Sequence, residues 1–338
     1  MAKKNGSNRK RRKSAAVPAE TVLKYALAGD GSDVYIDLMR DISAVNRRGY
    51  NQGQCVQISH IEIRQDGITT SSDLGVNVTV KRLPLTWVAA QAYMKARDAW
   101  LHQQKLVGSD YGHTAGGQER IRPKYEDFKV YMDAGHRTGT TLNTLDGAGT
   151  AVVQGEWDYS KLVYADQTVD PEVVREPSLH MIGNDVGTPT TDVGIINAYE
   201  DSRATVSPTM PNVPAAASTN IYALLSSGQD DGAAQEVIQN MEDDNDNPPY
   251  SLAHYPGGPV NYPTNVDAAY LATSTSNPIV QSGSMIAMCG LLRIFSQGKK
   301  VNTANGDVID ATIPATMLVH LVPGPKKGVL TMNVGDLV

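Results

Sequence analysis

The sequence predicts an all-β fold, namely a jelly-roll β-sandwich with long loops and a few short inserted helices, preceded by a disordered basic arm. First, short runs such as residues 76–81 and 128–132 place apolar residues at every second position, as strands with one buried face do. Second, long stretches rich in Gly, Pro, Asn, Asp, Ser and Thr separate these runs, and the chain has 30 glycines and 18 prolines. Third, helical patterns are isolated and do not alternate with strands, which disfavours a doubly wound α/β fold.

The strand pattern contains one internal irregularity. In residues 55–64, Val56 and Ile58 share one face, whereas Ile61 and Ile63 lie on the opposite phase. The slip around residues 59–60 predicts a β-bulge or a corner where the strand changes sheets. Residues 285–295 are apolar almost throughout, which favours a single central strand buried on both faces. The remaining predicted strands cover residues 159–164, 173–182, 194–206, 316–322 and 329–334.

Three helices are predicted as insertions between strands. Residues 37–48 carry an apolar stripe and precede Gly49, which is placed at the C′ position. Residues 87–104 follow a strand and are capped by Thr86. Residues 231–241 have apolar side chains at helical spacing. With residues 1–20 assigned to the arm, we expect residues 21–338 to form one domain.

Charge is strongly segregated along the chain. The formal net charge is −6, yet residues 1–14 contain no acidic residue. The rest of the chain carries 23 Lys and Arg against 36 Asp and Glu. The arm is polar and lacks hydrophobic periodicity, so we expect residues 1–20 to be disordered. The positive residues of the arm are Lys3, Lys4, Arg9, Lys10, Arg11, Arg12 and Lys13.

These seven cations predict an interface for nucleic-acid phosphates. If all of them contact single-stranded nucleic acid, log K falls against log salt with a slope of roughly −5. No aromatic side chain interrupts the cluster, so we expect neither base stacking nor sequence readout. A nuclear-import signal, which is compatible with this interpretation, and a solubilising tail are the alternatives.

The sequence contains no motif for catalysis or for a bound cofactor. Neither G-x-S-x-G nor G-x-x-x-x-G-K-[ST] is present, so we expect no catalytic residue, no cofactor and no enzymatic activity. Cys55 and Cys289 are predicted to be buried free thiols. The histidines form no zinc motif, so we expect no metal site and place them in strands or on the surface. They are His60, His102, His113, His136, His180, His254 and His320.

An acidic segment, residues 242–249, follows the last predicted helix. An EF-hand loop counted from Asp243 would need Gly at Pro248 and Glu at His254, so that site is excluded. A looser calcium site at a subunit contact and a solvated helix end remain as alternatives. No apolar stretch reaches the roughly 18 residues of a membrane-spanning helix, so we expect no membrane span.

An Arg- and Lys-rich arm (residues 3–13) followed by a strand-rich body (residues 34–334) resembles the capsid proteins of small icosahedral viruses. In size and arm the chain is most similar to those of circular Rep-encoding single-stranded DNA viruses. The resemblance implies an eight-stranded jelly roll, many copies of which form an icosahedral shell. It also implies arms that neutralise the viral genome, expected to be single-stranded DNA, by non-specific phosphate contacts.

The resemblance further implies location in the virion, with passage through the host nucleus during assembly as an option, and leaves the host receptor open. The first alternative is a double jelly-roll major capsid protein of a single-stranded DNA phage, although the sequence has no evident internal repeat. Two further alternatives are a cellular nucleic-acid-binding β-sandwich protein and a carbohydrate-active β-sandwich enzyme.

Overall fold

The computed structural model describes residues 18–65, 72–114, 127–153, 155–166, 173–186, 191–201 and 266–337. The basic arm up to residue 17, the predicted helix at 231–241 and the acidic segment at 242–249 lie outside these residues. The described part of the chain is mostly β-strand and forms several sheets, in agreement with the predicted all-β class.

The strands in chain order are β1 (Val22–Leu27), β2 (Asp30–Asp37), β3 (Gln54–Gln65), β4 (Asp73–Arg82), β5 (Tyr131–Asp133), β6 (Thr140–Thr141), β7 (Tyr164–Asp166), β8 (Val173–Arg175), β9 (Ser178–Ile182), β10 (Asp192–Gly194), β11 (Val266–Ala272), β12 (Ile279–Gln281), β13 (Met285–Met288), β14 (Leu291–Val301), β15 (Val308–Ala311), β16 (Ala315–Leu321), β17 (Pro323–Gly324), β18 (Gly328–Val329) and β19 (Thr331–Asn333). The helices are α1 (Leu38–Asn46), α2 (Trp87–Thr114), α3 (Ala134–Thr138), α4 (Ile195–Asp201) and a 3₁₀ helix (Val334–Leu337).

Two large sheets form the main body. The first has the order β1-β16-β3-β12, and β13 and β19 also pair with β3. The second has the order β11-β4-β14-β2-β6, and β15 pairs with β14. All of these pairs are antiparallel except β2 with β6. A smaller parallel sheet, β10-β9-β5, lies in the segment between β4 and β11.

The antiparallel pairing follows a regular rule. Each early strand pairs with a late strand in reverse order: β1 with β16, β2 with β14, β3 with β12 and β13, and β4 with β11. The strand pairing therefore follows the pattern of one long hairpin, whose two halves are joined by residues 83–265. Pairing of β16 with β3 and of β14 with β4 then joins these ladders into the two sheets.

The two large sheets share one hydrophobic core. In β16 every second residue from Ala315 to Leu321 is buried, as expected for a strand with one face on the core. Ile58 and Met317 from the first sheet belong to the same buried cluster as Val78 and Ile294 from the second. The inner faces of the two sheets therefore pack on each other.

A second core joins the segment between β4 and β11 to one side of these sheets. Tyr93 of α2, Phe128, and Leu179 of β9 are buried in it. They pack with Tyr35 of β2 and Met288 of β13. The described part of the long connection therefore packs as an additional layer on the sandwich, with this second core between them.

The predicted irregularity at residues 59–60 is confirmed as a β-bulge. His320 pairs with His60, whereas the next residue, Leu321, pairs with Ile58, so Ser59 has no partner in this ladder. The apolar residues on both sides of the bulge, including Ile58 and Ile61, are fully buried. The extra residue therefore lets two runs of opposite phase face the same core.

The prediction of one strand over residues 285–295 is wrong. The chain breaks at Cys289 and Gly290, whose φ angles of 57° and 69° are both in the left-handed region. β13 before the turn belongs to the first sheet and β14 after it to the second. The run is apolar almost throughout because the chain turns inside the protein at the boundary between the two cores.

Other predicted boundaries also change. Residues 194–206 were expected to form a strand, but α4 begins at Ile195 directly after β10, because Ile195 and Ile196 are buried in the second core. Residues 173–182 form two strands, β8 and β9. Strand structure begins only at Tyr131 in the run 128–132 and only at Tyr164 in the run 159–164.

The helices differ from prediction mainly at their ends. Residues 87–114 form α2, so this helix is long rather than short; the Oγ of Thr86 accepts a hydrogen bond from Ala89 N (3.3 Å), which confirms the predicted cap. α1 ends at Asn46, and the next residue, Arg47, has a φ of 51° and takes the left-handed position that the sequence predicts for Gly49. Both cysteines, Cys55 and Cys289, are buried free thiols as predicted.

Candidate nucleic-acid interface

The seven cations predicted to bind nucleic acid all lie outside the described residues, which begin at Pro18. They are Lys3, Lys4, Arg9, Lys10, Arg11, Arg12 and Lys13. The part of this interface that the structure describes is the junction between the arm and the folded body.

That junction is held by hydrogen bonds to two elements. The carbonyl oxygen of Pro18 accepts a hydrogen bond from Arg48 Nη1 (2.9 Å) just after α1. Glu20 and Asn46 form a reciprocal pair, with Glu20 N donating to Asn46 Oδ1 (2.8 Å) and Asn46 Nδ2 donating to Glu20 O (3.1 Å). Leu321 N donates to Thr21 O (2.8 Å), so the chain is already fixed on β16 before β1 begins. The arm therefore starts from a defined position on the body.

Two pairs of consecutive basic residues meet at this starting point, and we call them the root cluster: Arg47 and Arg48, and Lys326 and Lys327. The Nη1 of Arg48 reaches both Pro18 O and Lys327 O, which brings the two pairs together although they are about 280 positions apart. Lys327 Nζ donates to the carbonyl of Gly49, and its ammonium lies 5.6 Å from the centre of the Tyr50 ring. The cluster thus places two basic pairs that are far apart in sequence next to each other.

The electrostatics of the root cluster favour an anion. Arg47, Lys326 and Lys327 are exposed. Partial desolvation, and after it repulsion by the neighbouring charge of Lys327, lowers the pKa of the Lys326 ammonium. A phosphate placed there would relieve this repulsion. Its contacts would add to those of the arm because the cluster lies where the arm begins.

Sequence reasoning missed the root cluster because its members are not basic runs. Each half is only a pair, Arg47–Arg48 and Lys326–Lys327, and such pairs are common on protein surfaces. The available signal was that both pairs flank turns next to predicted elements. Their joint position depends on β1 and β16 being neighbours, which no local pattern indicates.

Asp37 and its hydrogen-bond partners form a polar cluster of the kind found in catalytic sites, but the Asp37 side chain is not accessible. The Asp37 carboxylate is fully buried and accepts hydrogen bonds from Gln52 Nε2 (2.9 Å), Trp157 Nε1 (3.1 Å) and Tyr159 OH (3.1 Å). It also caps α1 by accepting from the backbone N of Arg40 (3.1 Å). Burial raises the pKa of Asp37. Its role is to fasten residues 157–159 to the sandwich.

One group of described residues has the chemistry of metal ligands. His60 and Glu62 of β3 and His320 of β16 each offer one ligand atom, and these atoms lie within 4.8 Å of one another. The two imidazole rings are stacked, with centroids 4.1 Å apart. The expectation of strand histidines holds for both, but their proximity follows from strand pairing and not from any sequence motif.

Comparison with protein-family models, with curated proteins and with solved structures gives no match for this chain. Within the described ranges, no helix combines the length and apolar character required to cross a bilayer.

Proposed function

We propose that the two large sheets form a jelly roll. In that fold an eight-stranded hairpin is wound up so that strands pair first with last, second with second-last and so on inward. With β12 and β13 taken as one broken strand, the pairs β1–β16, β2–β14, β3–β12/β13 and β4–β11 follow this scheme. The resulting orders, 1-8-3-6 and 2-7-4-5, contain the two Greek keys of the jelly roll.

We further propose that the protein is a viral coat protein that assembles into a closed icosahedral shell and packages nucleic acid through its basic arm. The strand order agrees with this proposal but does not carry it by itself. Jelly rolls occur in capsids but also in lectins and cupins, so the fold alone does not select among them. The selection rests on a cationic arm attached to an otherwise acidic body.

The root cluster supports the assignment of the arm. An acidic body repels nucleic acid, so phosphate contacts are confined to the arm and the surface from which it starts. From Pro18, 17 residues extend at most roughly 60 Å. Many arms acting together would hold a genome strongly even if each binds weakly. We expect this genome to be single-stranded DNA and the contacts to be independent of sequence, with no enzymatic step.

Apolar side chains on a sheet edge support self-association. β11 pairs only with β4 among the described strands, so it forms an edge of the second sheet. Tyr270 and Val266 on this strand are 66% and 42% exposed. Large aromatic side chains at an open edge are typical of surfaces that become buried between subunits. β11 is therefore our candidate for a contact between neighbouring copies.

The proposal is tested by the nucleic acid that purified particles retain after nuclease treatment. The full chain should yield particles that protect nucleic acid, whereas deletion of residues 2–14 should leave the body folded and the protected nucleic acid lost. A variant with Lys105→Gln and Lys299→Gln, which removes charge away from the arm, should retain it. Unchanged protection after the arm deletion would refute the role of the arm.

A further inference from the structure

We propose that His60, Glu62 and His320 form a binding site for a divalent transition-metal ion of the zinc class. The three side chains lie on the outer face of the first sheet, on two paired strands. His60 is the direct partner of His320, and Glu62 is the next outward residue of β3. Their ligand atoms lie within 4.8 Å of one another. The site is independent of the shell function proposed above.

Each ligand has a free coordinating atom and a supporting contact. The Nδ1 of His60 lies 3.2 Å from Ser59 Oγ, which fixes the ring and leaves Nε2 available. Glu62 accepts from Arg64 Nε with one oxygen and from Gln281 Nε2 (2.7 Å) with the other, and each oxygen keeps a further lone pair. Metal ligands in proteins are commonly held by such outer hydrogen bonds.

His320 provides a second observation that points to a ligand at this group. Its Nε2 is buried and has no hydrogen-bond partner among the described residues. Buried polar atoms are normally satisfied, and an exception calls for a water or an ion.

The ligand set selects the metal. Two imidazoles and one carboxylate suit Zn²⁺ and its neighbours in the first transition row, whereas Ca²⁺ and Mg²⁺ prefer sites made only of oxygen. Tetrahedral zinc with bonds of about 2.0–2.2 Å places its ligands about 3.4 Å apart, so small side-chain rotations close the site. Three protein ligands leave a fourth position open for water or an external group.

The location gives such an ion a structural role. Val22, the first residue of β1, is the direct partner of His320, so β1, β16 and β3 present Val22, His320 and His60 in one row. The arm therefore begins beside the site. An ion there would bridge β16 to the bulged part of β3, next to the junction of arm and body.

The test is a titration of the full chain, freed of nucleic acid at high salt and of metal by a chelator, with Co²⁺. We expect one ion per chain, with the strong visible absorption of a four- or five-coordinate site, and displacement by Zn²⁺. His320→Ala and Glu62→Ala should each weaken binding by at least about tenfold. His102→Ala, which removes an exposed histidine of α2, should bind as the wild type does.

Two results would overturn the site. One is a wild-type chain that gives no visible Co²⁺ absorption. The other is wild-type affinity in a folded variant that lacks one ligand. Far-UV circular dichroism establishes folding for each variant. If His320→Ala does not fold, His60→Ala takes its place.

Discussion

At the scale of residues, the described interior contains titratable side chains whose charged forms are disfavoured by burial. His136 is 1% exposed, its Nδ1 accepts a hydrogen bond from Met132 N (3.1 Å), and its ring stacks on Tyr35. Asp41 accepts from Tyr25 OH (2.7 Å) and pairs with Arg40. Burial shifts both groups toward their neutral forms, which lowers the pKa of His136 to about 4 and raises that of Asp41 to about 6.

These two groups predict opposite contributions to acid stability. Below pH 6.5 the unfolded state protonates His136 while the folded state does not, so this residue costs stability as the pH falls toward 4. The pKa difference corresponds to about 3 kcal/mol. Asp41 has the opposite effect. As the pH falls, Asp41 is protonated in the folded state before it is protonated in the unfolded state, so its stabilising contribution is lost as the pH rises through 6.

Replacing His136 isolates its part of this balance. In His136→Asn the amide oxygen can still accept from Met132 N, but the proton uptake of the unfolded state is removed. We therefore expect the thermal midpoint to fall less between pH 6.5 and pH 4 in the variant than in the wild type, with His102→Asn as the control. Parallel pH profiles for wild type and His136→Asn would contradict the burial of a neutral imidazole.

At the scale of elements, the fold depends on corners where the chain passes from one sheet to the other. Gly29 lies between β1 and β2, which belong to different sheets, and has a φ of 66°. A Cβ at this position would lie 1.9 Å from the carbonyl oxygen of Ile313. Only glycine fits this close approach, because the conflict is with backbone that cannot rotate away.

A pair of glycine substitutions separates this contact from the cost of backbone conformation. Gly306 has a similar φ of 80°, but a Cβ there meets nothing within 4 Å. Gly306→Ala should therefore lose only about 1 kcal/mol, the cost of the left-handed conformation. Gly29→Ala should lose considerably more, as measured by urea unfolding of both variants. Equal losses would show that the approach of Gly29 to Ile313 does not constrain the corner.

Asp37 is the corresponding anchor for the long connection. Asp37→Ala leaves the buried donors of Gln52, Trp157 and Tyr159 without their acceptor, so we expect a loss of about 3–5 kcal/mol. The stability of Asp37→Asn should lie between those of the wild type and Asp37→Ala, because the amide keeps one oxygen acceptor. Thermal unfolding midpoints of the wild type and the two variants measure this loss. An unchanged midpoint in Asp37→Ala would show that Asp37 does not anchor residues 157–159.

Elements with a simple local pattern were predictable. β4 and β16 alternate because each has one face on the core, and the phase slip in β3 revealed its bulge. The prediction of one strand over residues 285–295 failed because Met288 is buried in the second core whereas Ile294 is buried in the first. Local hydrophobicity reports burial but not which core buries a residue. The pairing of β1 with β16 depends on contacts about 300 positions apart and has no local signal.

The candidate site divides in the same way. The arm was visible because its charges are consecutive in sequence. The root cluster was not, since Arg48 and Lys327 meet only after β16 returns beside β1. The proposed metal ligands His60 and His320 likewise become neighbours only through the β3–β16 ladder. Sites assembled by long-range pairing need the topology before they can be found.

At the scale of the whole molecule, the described body consists of two packed sheets with an additional layer, whereas residues 1–14 carry seven positive charges and no acidic residue. The root cluster predicts a specific salt effect. Replacing Arg47 and Lys326 by Gln should reduce the slope of log K against log salt for a single-stranded oligonucleotide by about 1.5. Lys105→Gln, on the exposed side of α2, should leave the slope unchanged. Equal slopes for all three proteins would exclude the root cluster from the interface.

Assembly is the property that most directly separates a coat protein from a binding module or an enzyme with the same strand order. Electron microscopy of the purified full chain over a range of salt concentrations measures it. We predict uniform closed particles with icosahedral symmetry, in which the outer face of the first sheet and the start of the arm point inward. Monomers or small oligomers at every salt concentration would contradict the central claim.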